Sequence, residues 1–330
     1  MVSTSRAGRV PTTNPHTLRV DVTEKASEED RKTRLTVLVA LGANLVIAVA
    51  KAVGGLIATS PALLSEAAHS VADSLNEVFL LAALHRSRKP ADRKHPFGYG
   101  KERFFWSLLA AVGIFVMGGC FSFFQAFEAF TSGGQEESHT GYVVGLAVLG
   151  VALVAEGSSL IRAVHQVRAQ PGDGIGSDPA LRTVLAEDST AVLGVLLAAG
   201  GMALHMVTGH IEWEAGASLV IGLLLVYVAY GLGRSARDQL IGEAVDPDLR
   251  SGIHELLDAQ DEIDYVAALH TMRLGMDSTL VAARIDLAPG IDSERLELVS
   301  ERIKGEVRER WPEADQVFLD VVEAPQGVRH

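Results

Sequence analysis

Apolar stretches of about 20 residues recur between positions 35 and 233, each long enough to cross the hydrocarbon of a bilayer as one helix. Six windows are predicted, at residues 35–57, 62–84, 104–130, 142–164, 181–206 and 215–233. Only Thr59, Ser60 and Pro61 separate the first two, a turn so short that they must form an antiparallel pair. Small residues such as Gly113, Gly118, Gly119, Gly145, Gly150, Gly194, Gly200 and Gly201 punctuate the windows and suit close helix packing in lipid.

The pattern changes from about Asp246 onward. Residues 248–260 read as an amphipathic helix with Ile253, Leu256 and Leu257 on one side. Residues 265–273 and 279–287 read as strands joined by a turn at Gly275, Met276, Asp277 and Ser278. A second helix is predicted over 293–311, stopped by Pro312, and a third strand over 316–322, where Val317, Leu319 and Val321 alternate with polar neighbours. The expected fold class is a membrane α-helical bundle of six transmembrane helices followed by a small ferredoxin-like αββαβ domain. The domains are expected at 1–34 (a flexible cytoplasmic leader), 35–240 (the membrane domain) and 241–330 (the C-terminal domain).

Composition sharpens this reading. With 48% hydrophobic residues and a mean hydropathy of +0.22, the 330-residue chain is too apolar for one soluble domain with an ordinary charged surface. The formal net charge of -12 is concentrated in residues 246–330, as expected of a soluble tail. Cys120 is the only cysteine, which excludes an intramolecular disulfide framework and a thiolate zinc cluster, so a metal site must use His and carboxylate. The polar start of the chain lacks the apolar core of a signal peptide. Lys and Arg collect in residues 19–34, in the loop holding Arg86, Arg88, Lys89, Arg93, Lys94 and Lys101, and at Arg162, Arg168, Arg182, Arg234 and Arg237. The alternate loops, residues 58–61, 131–140 and 208–214, contain none. This asymmetry predicts that both termini face the cytoplasm or its topological equivalent, a pattern that a soluble bundle has no reason to produce.

An ionisable group inside a spanning helix is costly and needs a reason. His69 and Asp73 lie four residues apart in the second window and share a helix face, which supplies one nitrogen and one oxygen, half of a tetrahedral zinc site. Glu187 and Asp188 add carboxylates in the fifth window. The competing reading pairs His69 with Asp73 or with nearby backbone and leaves Glu187 and Asp188 as marks of a helix head. The intramembrane setting of both pairs favours a site. Glu66 and Asn76 fall near the His69 face and, with Glu77, are candidates for outer positions or a proton path.

The segments SEAAHSVADSLN and HPFGYGKER, six windows and an αββαβ tail together resemble the cation diffusion facilitators, the zinc transporter family, over about residues 35–325. LLSEAAHSVAD and VLAEDSTAVLG look most like the subgroup containing the mitochondrial zinc transporter. The resemblance implies a transport site of His69, Asp73 and Asp188, with the fourth position falling on Val184, which cannot ligate. Glu187, one turn away, is the replacement expected here. The resemblance implies a peripheral metal site at Asp92 and His95, weakened because Tyr99 stands where some relatives have a second His. It also implies a C-terminal metal site at His270, Asp286 and Asp320, and strand alternation points Asp286 and Asp320 outward. Lys101 resembles a basic position that pairs with an acid at the foot of the sixth span in relatives, for which Glu243 is the nearest candidate.

The function implied is export of a divalent metal, zinc first, by proton-coupled alternating access from a bacterial inner membrane. A non-transporting metal receptor or scaffold is the binding-class alternative. Enzyme activity is not expected, and the HExxH pattern of a metalloprotease is absent. No cofactor is expected beyond the metal itself, as substrate and as a structural or regulatory ion. The expected partners are the metal, protons, the bilayer and a second copy of the chain, with no nucleic acid.

Overall fold

The structure, a computed structural model, describes residue 38 and residues 41–132, 139–169 and 179–323. The expected leader, residues 1–34, lies outside them. Six long helices come first: α1 (Leu41–Ala58), α2 (Pro61–Arg86), α3 (Glu102–Ser132), α4 (His139–Ala169), α5 (Pro179–Thr208) and α6 (Glu212–Ile241). The α1–α2 connection is as tight as the sequence suggests. Ser60 caps α2 by accepting from the Leu63 N–H at 3.2 Å, and Pro61 occupies the first turn, where its missing N–H costs nothing. Gly242 ends α6 with a left-handed φ of 104°.

Five of the six, α1, α3, α4, α5 and α6, are long and apolar enough to cross a membrane. The second window departs from expectation. At 26 residues α2 is long enough, but it carries Glu66, Asp73 and Glu77 and does not count among the apolar helices. Its position accounts for this: α2 packs against α3, α5 and α6, so protein shields its polar face. Around it Leu63, Leu149, Met202, Ile221 and Leu225 form a buried core, while Val151, Val154, Val207 and Tyr227 point outward.

α3 has a π-helical stretch at Ile114–Cys120 that no sequence signal announced. Gly118 and Gly119 lie within it and take Leu225 and Val226 of α6 against their backbone, while Gly222 of α6 receives Phe123.

The C-terminal domain follows the expected αββαβ order: α7 (Pro247–Asp258), β1 (Ile263–Arg273), β2 (Thr279–Leu287), α8 (Ser293–Arg310) and β3 (Gln316–Val321). β2 is central, antiparallel to β1 and parallel to β3 through the α8 crossover. Ile253, Leu257, Ile285, Ile303 and Val307 form its core. Alternation fails at two places. Asp286 is buried beside Ile285 rather than outward, at the end of β2 where irregular register in β1 between Ile263 and Tyr265 disturbs the pleat. Val321, expected to face inward, is exposed at the end of edge strand β3.

Candidate metal centre

The helix spacing delivers the first pair. His69 Nε2 lies 3.5 Å from Asp73 Oδ2, with His69 buried and Asp73 one third exposed. Facing them across the α2–α5 contact, Glu187 Oε1 accepts from Asn76 Nδ2 at 3.4 Å. Asp188 turns toward α4 instead, where Ser159 Oγ donates to its Oδ2 at 3.0 Å. The side chain of Val184 lies outside the described residues. Glu187 therefore shares the α2–α5 interface with the His69–Asp73 pair while Asp188 does not, and no group of three or more His, Cys, Asp or Glu side chains is gathered closely enough to hold a metal ion among the described residues. Exposure rises along α2 from Glu66, fully buried, through His69 to Asp73 and Glu77, so the interface opens toward the C-terminal end of α2.

Sequence reasoning singled out Glu66 and Glu77 beside this pair but missed the groups that hold them, Lys51, Glu156 and Asn44. Lys51 of α1 is buried with Glu66 and donates to Glu66 Oε2 at 3.0 Å, to Ser70 Oγ at 3.0 Å and to Glu156 Oε1 of α4 at 2.7 Å. Glu66 Oε1, on the other side of the same carboxylate, has no hydrogen-bond partner among the described residues and lies 3.8 Å from His69 Nδ1. Asn44 of α1 donates to Glu77 Oε1 at 2.8 Å. Intramembrane charge in the first and fourth windows was the available signal: Lys51 and Glu156 each interrupt an otherwise apolar run.

A second buried polar cluster closes the opposite end of the bundle. Glu214 at the start of α6 accepts from Ser60 Oγ, and its Oε1 lies 2.7 Å from His205 Nδ1 of α5. Tyr142 of α4 meets the His205 ring edge-on at 5.4 Å. The cluster ties α6 to α5 and to the α1–α2 turn.

The remaining expected residues are placed apart from α2. In the α2–α3 loop Asp92 accepts from the backbone N–H groups of Lys94 and His95 at 2.8 and 2.7 Å and from the Tyr99 hydroxyl at 2.8 Å. The Tyr99 hydrogen bond, then that from the His95 backbone, holds the Asp92 carboxyl below its ordinary range, and the same bond raises the Tyr99 phenol. His95 Nδ1 is 3.5 Å from Asp92, and its ring lies against Tyr99 with centroids 4.2 Å apart and planes tilted by 42°. Tyr99, standing in the position of a second His, thus closes the loop on Asp92.

In the C-terminal domain His270 pairs in register with Ala282, Asp286 with Tyr265, and Asp320 with Arg284, so the three are spread along the sheet. Asp320 is exposed as expected and forms an ion pair with Arg284 at 3.1 Å. Lys101 Nζ points at Met272 Sδ of β1, 3.5 Å away, and no ion pair joins it to Glu243 among the described residues.

Residues 37–241 match the cation efflux transmembrane domain. The chain is 31% identical over 292 residues to metal tolerance protein C4 of Arabidopsis thaliana, covering 86% of this chain and 62% of that protein. It is 30% identical over 236 residues to the mitochondrial proton-coupled zinc antiporter SLC30A9 of Xenopus laevis, covering 69% of this chain and 42% of that one. It is also 22% identical over 302 residues to the manganese efflux system protein MneP of Bacillus subtilis (strain 168), covering 90% and 98%. The chain thus spans less than two thirds of the length of the first two relatives.

Proposed function

The chain belongs to the cation efflux family, and on that premise we propose that it exports a divalent metal ion, with zinc the preferred substrate, in exchange for protons. It is a multi-pass membrane protein, and the Lys and Arg asymmetry supports an orientation with both termini cytoplasmic. The observation that carries the reading is the intramembrane His69–Asp73 pair on α2, set against Glu187 of α5. An imidazole nitrogen beside carboxylate oxygens suits zinc better than manganese, which favours an all-oxygen shell. The names of the relatives include both metals.

Protons compete for the same donors, because imidazole and carboxylate must be deprotonated to ligate, so metal release to an acidic side is coupled to proton uptake. Two features support an inward-facing conformation under the proposed orientation. Asp73 and Glu77 open toward the Lys- and Arg-rich end, while Ser60, His205 and Glu214 seal the other. Antiport, which the name of the Xenopus laevis relative states, fits a scheme in which this one site is exposed alternately to either side.

The test is zinc flux into proteoliposomes carrying a pH gradient. Asp73→Asn removes a charged oxygen donor for which a low-dielectric site has no substitute, about 3 kcal/mol, or on the order of a hundredfold in flux at limiting zinc. Glu187→Gln falls by a similar factor if Glu187 completes the shell in place of Val184. Wild-type binding of zinc without any flux would identify a receptor or scaffold.

A further inference from the structure

The Lys51 network adjoins the candidate site yet supplies no ligand to it. All three of its ammonium donors are engaged, toward α2 at Glu66 and Ser70 and toward α4 at Glu156. An ammonium held from three directions cannot reorient, and it fixes Oε2 of Glu66. Oε1 of the same carboxylate is thereby held against the Gly194 backbone of α5, facing His69 Nδ1, with no other partner among the described residues. The 3.8 Å separation exceeds a hydrogen bond, and a small rotation of either side chain closes it. Glu66 and Asp73 flank His69 at opposite ring nitrogens, Nδ1 and Nε2.

A histidine that ligates metal through one nitrogen commonly donates the N–H of the other to a carboxylate, which sets the tautomer and the ring angle. We propose that Lys51 is a positioning residue of the transport site: by locking Glu66 against His69 Nδ1 it presents Nε2, beside Asp73, to the metal. This inference rests on the proposed transport function and extends it to three residues, Lys51, Glu66 and Glu156, with distinct parts. Glu66 holds the ring, Lys51 holds Glu66, and Glu156 anchors the ammonium to α4. A buried ion pair gives little net stability over a well-packed apolar substitute, so stability alone does not explain a charge here.

The arrangement predicts a split that simple structural glue does not. Zinc flux is measured in proteoliposomes for wild type, Lys51→Met, Glu66→Gln and Glu156→Gln, each confirmed monodisperse before reconstitution. Lys51→Met and Glu66→Gln raise the KM for zinc by about 10–100-fold, with a smaller change in kcat, because each unlocks the histidine. Glu156→Gln removes one of the three anchors but leaves Lys51 bonded to Glu66 and Ser70, so it raises the KM by a smaller factor, about 2–5-fold. If Lys51→Met does not reach the membrane folded, Lys51→Met/Glu156→Gln, which preserves the formal charge of the cluster, takes its place with the same expected KM. A KM unchanged by loss of Lys51, or an equal rise with Glu156→Gln, overturns the positioning role while leaving the transport reading intact. Wild-type vesicles that carry no zinc overturn both.

Discussion

Val154 on α4 and Leu298 on α8 are both 74% exposed, yet they sit in opposite worlds. On the bundle the outward surface carries apolar side chains such as Val151, Val154, Val207 and Tyr227, and ionisable groups lie inside, in Lys51 with Glu66 and Glu156 and in His205 with Glu214. Around Leu298 the order is the usual one: Ile253, Leu257 and Ile303 are inside, while Arg302 with Glu262 and Arg284 with Asp320 lie at the surface. One chain therefore folds by two rules. The helical bundle answers to lipid, which cannot satisfy polar groups, and the C-terminal domain answers to water, which excludes apolar ones.

The largest effect should come from breaking the inner polar order of the bundle. His205→Ala leaves buried Glu214 with Ser60 as its one side-chain partner among the described residues, at a cost of about 3 kcal/mol, read as a lowered denaturation midpoint of the purified full chain. An unchanged midpoint would mean that water already reaches this end of the bundle.

The matched pair of exposed residues tests the two solvents directly. Val154→Lys, in the middle of a spanning helix, should cost about 2.5–3.5 kcal/mol and reduce the membrane-inserted yield. Leu298→Lys should stay within about 0.5 kcal/mol. Equal tolerance at both positions would contradict a lipid-facing α4.

The smallest effect belongs to the surface of the water-facing domain. Arg284→Ala removes the exposed pair with Asp320 and should cost about 0.2–1 kcal/mol in thermal unfolding of the full chain, less in high salt. A larger loss that persists in high salt would show that Asp320 belongs to a buried or metal-linked network.

Much of this organisation was legible beforehand because lipid imposes a coarse rule that a single sequence displays. Five apolar runs became five spanning-length helices, and period-two alternation and turn residues placed the strands of the αββαβ domain. His69 and Asp73 were legible because a four-residue spacing on a helix is enough to set them side by side. Asp286 was misread because alternation assumes a regular pleat, and the register of β1 is irregular opposite the end of β2. Lys51 and Glu156 were overlooked because neither has a partner of opposite charge within four residues in its own window, and nothing local links residues 105 positions apart.

The sequence by itself determined which segments suit lipid, which suit water, and which side chains can ligate a metal, since these follow from composition, helical period and donor chemistry. Only the tertiary structure decided what neutralises the charges buried with them. That Lys51 meets Glu66 and Glu156, that His205 meets Glu214, and that Glu187 faces α2 while Asp188 faces α4, depend on how the helices rotate and cross. Those rotations are set by packing at positions such as Gly118, Gly119 and Gly222, where the absence of a side chain lets one helix approach another, and that complementarity exists only between surfaces already brought together.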